Sequence, residues 1–156
     1  MLSRPLLLGL LTFALVAVPA TTRAEDATAQ CGDSFAPYAE VQIDTQPRLN
    51  LEVARTPDEH QVGLMYRQSL PDDGGMLFVY DHPATEGYWM HNTYVPLSIA
   101  WIDQNGAIVD IQDMQPLTDD VHSPAAAYWY ALEANQGWFT NNGVGIGQYV
   151  TLCLGA

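Results

Sequence analysis

Arg67, Asn92, Asp103 and Glu133 are polar residues set beside apolar motifs, where packing alone does not account for them. Arg67 is one of three arginines between residues 25 and 156, Asn92 follows Trp89-Met90, and Asp103 and Glu133 lie at the ends of apolar runs. In a structural role, Arg67 pairs with a carboxylate, Asp103 or Glu133, and Asn92 satisfies backbone groups at a turn. In a functional role, Arg67 and Asn92 anchor a ligand in a concave site beside Trp89 and Met90, with Asp103 and Glu133 completing the ligand-binding set. Aromatic faces with a few polar anchors suit a saccharide or another small polar ligand. The chain carries many such faces: Tyr88, Trp89, Tyr94, Trp101, Tyr128, Trp129, Tyr130 and Trp138.

Two other chemistries compete with simple binding. A hydrolase could use Asp103 or Glu133 as base, with Arg67 steadying an anion. A soft-metal module could hold Cu(I) at Met90 and His91, because thioether and imidazole are soft or borderline ligands. These two neighbours point to opposite faces of a regular strand, so a bulge or a strand end would have to bring them together. Familiar catalytic patterns are missing. There is no Gly-x-Ser-x-Gly elbow and no Cys-x-x-Cys, and Gly143 to Gly147 precede a strand instead of a helix. His60, His82, His91 and His122 lack the spacing of a helical metal site. The expectation is a non-catalytic binding or accessory module without a cofactor.

Charge narrows the partners. The 156 residues include 18 Asp+Glu and five arginines, with no lysine, for a formal net charge of −13. Nucleic acid and anionic membranes need a basic face, so neither is an expected partner, and the chain should be a monomer. Met1 to Arg4 is positively charged, Leu6 to Val18 is an apolar run of thirteen residues, and Thr22-Arg23-Ala24 follows. That order is a secretory signal peptide over residues 1–24, with cleavage near Ala24 and a periplasmic or secreted product. Cleavage leaves three arginines against 18 acids, a net charge of −15. This acidic surface keeps an exported protein soluble or suits a salty medium. In an oxidising compartment Cys31 and Cys153 have only each other as partners, so a disulfide between them is expected.

The elements that must position these residues are mostly strands. Residues 25–40 form a polar lead-in, and residues 41–156 form a single globular domain. Arg48 to Ala54 alternates as a strand does. Thr56-Pro57-Asp58-Glu59 is a helix start, with Thr56 as cap and Glu59 able to close a capping box. The helix should run over about 57–66, with Val62, Met65 and Tyr66 on its packed face, and end near Arg67. Strands follow at Met76 to Tyr80, Tyr88 to His91, Leu97 to Asp103, Ala107 to Asp113, Tyr128 to Ala134 and Gln148 to Leu154. Asn105-Gly106 marks a hairpin between the third and fourth of these runs, and Gln136 to Asn142 can hold a helical turn.

Three segments together are distinctive. They are Gly63-Leu64-Met65-Tyr66-Arg67, Gly75-Met76-Leu77-Phe78, and Trp89-Met90-His91-Asn92-Thr93 leading into Pro96-Leu97-Ser98. In this combination the chain resembles the domain of unknown function family numbered 192 (DUF192), over about residues 48–154. A basic residue commonly follows Trp-Met in that family, and here it is His91. An Asp commonly follows Pro-Leu, and here it is Ser98. The resemblance implies an exported or membrane-linked protein without an established activity. It also implies an α+β fold, mostly antiparallel β, as a small curled or partly closed β-barrel-like sheet with one main helix.

Overall fold

The computed structural model describes residues 38–43 and 48–154. Strands β1 (Tyr38–Ile43), β2 (Arg48–Ala54), β3 (Gly74–Ala84), β4 (Leu97–Ile102), β5 (Ile108–Met114), β6 (Tyr128–Asn135) and β7 (Val150–Leu154) form one sheet. Their order across it is β5-β4-β6-β3-β2-β1-β7. Every neighbouring pair is antiparallel except β2 and β3. A parallel pair needs a crossover, and helix α1 (Pro57–Val62) lies in that crossover. A second short helix, α2 (Trp138–Asn141), sits between β6 and β7.

The sheet curls until its two ends touch. Ala107 bridges Tyr149, with Ile108 N–H donating to Gln148 O at 2.9 Å and Val150 N–H to Gly106 O at 2.8 Å. Gly106 has φ +86, and a Cβ there would sit 2.7 Å from Val150 O, so the closure requires glycine. The contact is local, and the barrel is not closed along its length. The fold is thus α+β with a largely antiparallel, partly closed sheet, as the resemblance implies.

Alternation along the strands builds two cores. One holds Leu51, Leu77, Ala100, Leu132 and Phe139, with Ile108 from β5 and Val150 from β7. Both end strands contribute to it, so it fills the inside of the curl. The other lies on the outer face and holds Met76, Phe78, Ile99, Trp101 and Ala131 under Leu64, Met90 and Val95 from the connections.

Several elements differ from the sequence reading. The helix stops at Val62, four residues short of Tyr66, because Gly63 takes φ 48 and Tyr66 φ 65. It buries none of its residues, Val62 and Tyr66 are 52% and 60% exposed, and Leu64 beyond its end is the side chain that packs. Tyr88 to His91 is not a strand but a single bridge from Tyr88 to His122. β1 begins at Tyr38, inside the stretch read as lead-in. The expected signal peptide lies outside the described residues, as does Cys31 of the expected Cys31–Cys153 bridge.

Candidate functional site

The capping box expected from Thr56 and Glu59 is present and does more than start α1. Glu59 Oε2 accepts the N–H groups of both Arg55 and Thr56 at 2.8 Å, which fixes the backbone of Arg55 beside the helix start. These bonds hold the Glu59 carboxyl below its usual range, the Arg55 N–H first among them. One turn on, His60 Nε2 lies 3.1 Å from Ala54 O, and its ring packs on Tyr80 at 4.5 Å between centroids. The helix is therefore pinned to the end of β2 and to β3.

β3 runs past the point where it leaves the β6 register, between Val79 and Ala84. This bulge carries Tyr80, Asp81 and His82 out of step with β6 before Ala84 pairs again with Tyr128. The 85–88 loop returns alongside, held by the Tyr128 hydroxyl donating to Glu86 O at 2.9 Å. Tyr88 exchanges backbone hydrogen bonds with His122 at 2.9 and 2.7 Å, and its hydroxyl meets that of Tyr80 at 2.9 Å. Between α1, the bulge and this loop lies a cleft of about 790 Å³, lined by Arg55, His60, Tyr80, His82, Glu86, Tyr88 and Trp89 among others.

The electrostatics of the cleft follow from these contacts. Burial pushes the Tyr88 and Tyr128 hydroxyls well above the normal phenol range, so they act as neutral hydrogen-bonding groups and not as bases. The hydrogen bond from His82 draws the Asp81 carboxyl down, and the N–H groups of Glu86 and Thr85 do the same for Glu86. Both acids stay ionised. Among the described residues no cluster of three or more His, Cys, Asp or Glu could hold a metal ion.

Of the six residues expected to bind ligand, Trp89 alone lines this cleft. It is 44% exposed and stacks on His91 with centroids 5.2 Å apart. Met90 is fully buried in the outer core, whereas His91 is exposed and bonds Asp119 at 2.7 Å. The proposed Cu(I) pair therefore faces different surroundings. Asn92 has φ 53 and donates through Nδ2 to the Tyr66 hydroxyl at 3.0 Å, while its carbonyl accepts the Tyr66 N–H at 2.9 Å.

Arg67 does find a carboxylate, but the partner is Glu52 at 2.6 Å, not Asp103 or Glu133. Asp103 shapes the hairpin by accepting the N–H groups of Asn105 at 2.8 Å and Ala107 at 2.9 Å. Glu133 is 4% exposed within β6, and burial pushes its carboxyl up to about 8. None of Asp103, Glu133 and Arg67 lines the cleft, and Arg67 is taken up by Glu52, so the hydrolase arrangement does not assemble there. Ser98, in the place of the family's usual Asp, donates to Asp113 and accepts the Gly137 N–H at 2.8 Å, which ties the start of α2 to the β4–β5 pair.

Of the other cleft residues, the sequence weighs His60 and His82 only as metal ligands and does not single out Arg55 or Tyr80. The capping signal at 56–59 was the available clue, because it places Arg55 just before the helix and His60 one turn into it.

No curated protein matches this sequence. The fold is similar to that of a protein from Sinorhizobium meliloti 1021 described as a candidate transcription regulator. The two share 29% identity and a TM-score of 0.68 over 74% of this chain and 92% of that one. It is also similar to a protein of unknown function from Novosphingobium aromaticivorans DSM 12444, at 27% identity and a TM-score of 0.67 over 83% of this chain and 99% of the other. Residues 39–152 match the family described as DUF192, Uncharacterized ACR, COG1430, and the chain belongs to that family.

Proposed function

We propose that this protein is a non-catalytic binding or accessory module of the cell envelope that takes a small polar ligand, of the saccharide or anion class, in the cleft beside Trp89. The observation that carries the reading is the half-exposed Trp89 indole at the edge of a cleft walled by Tyr80 and Tyr88. An indole face stacks on the C–H face of a sugar ring, and phenol hydroxyls accept and donate hydrogen bonds to its hydroxyls. The export half of the reading rests on the N-terminal order of charge, apolar run and small residues, and mass spectrometry of the secreted chain should find a new N-terminus after Ala24.

The description of the Sinorhizobium relative does not extend to this chain in our reading. A net charge of −13 with five arginines and no lysine opposes binding to phosphates, and phosphate neutralisation supplies most of the affinity for DNA.

Saturation-transfer NMR against a panel of envelope saccharides and small acids tests the binding. At least one class should receive saturation transfer from the protein, and Trp89→Ala should abolish it with the fold intact. A panel without a single binder, or binding unchanged in Trp89→Ala, defeats the reading.

A further inference from the structure

Around the cleft Asp81 and Glu86 each have one carboxylate oxygen engaged, while the Arg55 guanidinium and the Trp89 indole N–H have no acceptor among the described residues. Asp81 Oδ1 lies 2.6 Å from His82 Nδ1, and Glu86 Oε2 accepts the Thr85 N–H at 2.9 Å. The hydroxyls of Tyr80 and Tyr88 are joined to each other at 2.9 Å. Arg67, away from the cleft, is taken up by Glu52. The guanidinium of Arg55 has no acceptor among the described residues, although the chain has 18 acids for five arginines. An arginine left unpaired amid such an excess of carboxylates is conspicuous by scarcity alone. Its backbone is not free to drift, since Glu59 holds the Arg55 N–H at 2.8 Å. The indole N–H of Trp89 is likewise without an acceptor among the described residues, and both side chains line the same cleft.

We infer that the ligand of this cleft is an acidic saccharide of the uronic acid class, with its ring on Trp89 and its carboxylate on Arg55. The inference rests on the binding reading above and narrows it. A guanidinium matches a carboxylate in two parallel hydrogen bonds, a geometry that a sugar hydroxyl cannot reproduce. The ring supplies a C–H face to the indole, and its hydroxyls supply an acceptor for the indole N–H. The net charge of −13 opposes the approach of any anion. That long-range field is screened beyond roughly 8 Å at physiological salt, so discrimination resides in the contact at Arg55.

The full chain is titrated with glucuronate, galacturonate, glucose, galactose and acetate; dissociation constants are read by calorimetry in every variant, and the shift of the Trp89 indole resonance is followed in the wild type. The uronates should bind about tenfold more tightly than their neutral counterparts, the scale of one charge-assisted hydrogen-bonded contact. Arg55→Gln should bring uronates down to the level of the neutral sugars without lowering the melting temperature, Arg55→Lys should keep part of the preference, and Trp89→Ala should weaken both classes alike. Equal binding of uronates and neutral sugars, or a preference that survives Arg55→Gln, overturns the acidic assignment and leaves the cleft reading standing. Acetate bound as tightly as the uronates removes the sugar from the assignment. If none of the five ligands moves the Trp89 resonance, the inference falls, and the saccharide reading of the cleft falls with it.

Discussion

Glu52 and Glu133 are both direct neighbours of Met76 in the sheet register, on β2 and β6, and so share one face two strands apart. At the spacing of strands their Cα atoms are roughly 10 Å from each other. Arg67 reaches Glu52 at 2.6 Å, while Glu133 has no hydrogen-bond partner among the described residues and lies 4% exposed in the outer core. Diagonal to it on β4, the buried indole N–H of Trp101 is also without a partner. Identical carboxyls in one row therefore meet opposite fates. Glu52, partly exposed, pairs with Arg67, while Glu133 keeps its proton at neutral pH because burial pushes it up to about 8.

That proton makes stability depend on pH with a definite sign. The Glu133 carboxyl titrates near 4.5 unperturbed and near 8 in the fold. Below the lower value both states are protonated and the contribution is fully present. Between the two values only the folded state holds the proton, and stability falls with rising pH by about 1.4 kcal/mol per unit. Above the upper value the loss amounts to roughly 5 kcal/mol. Glu133→Gln removes this dependence. Urea titrations at several pH values should show wild type and variant close together near pH 5 and the variant clearly more stable near pH 9. Parallel pH profiles for the two proteins would contradict a buried, protonated Glu133.

Arg67→Ala should have little effect on stability. Its side chain and that of Glu52 are 44% and 39% exposed, and exposed pairs contribute about 0.2–1 kcal/mol. A double-mutant cycle with Glu52→Gln should return a coupling energy in that range, shrinking at high salt. A loss above about 3 kcal/mol would mean that a buried charge has been left unpaired.

Gly75→Ala should be among the most damaging single changes. A Cβ there would stand 2.0 Å from Glu133 O and 2.9 Å from Leu51 Cδ2. The first of these is backbone and cannot swing away, so β3 and β6 would have to part. A loss of about 3 kcal/mol or more is expected, within the reach of overpacked cores, and thermal melting of the variant would register it. A melting temperature equal to wild type would show that the pairing of Gly75 with Ala134 is wrong.

Leu117→Gly should stabilise the protein. Leu117 holds φ 59 yet is 60% exposed, so its side chain gains little from packing while its backbone sits in the left-handed region. Relief of that strain, about 1–2 kcal/mol, outweighs the added chain entropy of glycine in the unfolded state, about 0.5–1 kcal/mol. Chemical denaturation should report a net gain of up to about 1.5 kcal/mol, whereas a clear loss would mean that the Leu117 side chain packs more firmly than its exposure indicates.

The parts of this fold legible in the sequence are those specified by neighbours along the chain. Asn105-Gly106 announces its hairpin because the turn needs a positive φ, and Gly106 has φ 86. Thr56 to Glu59 announces a helix start because a cap is closed within four residues, and the capping box forms. Alternation from Arg48 to Ala54 separates the two faces of β2 before any partner strand is known. What tertiary structure alone decided concerns partners. Gly63-Leu64-Met65-Tyr66 keeps a spacing compatible with helix, yet Leu64 is drawn into the outer core and the helix ends to let it turn in. Arg67 had many carboxylates to choose from, and the parallel register of β2 with β3 presented Glu52. Glu133 reads as a strand-end acid, but strands on both sides of β6 bury it. The cleft depends on the same long-range choice: Arg55, Tyr80 and Tyr88 meet because β3 bulges away from β6 between Val79 and Ala84 and the following loop folds back beside it. Dihedral preferences and caps act over a few residues and are written in local sequence, whereas strand register is settled by the packing of the whole sheet.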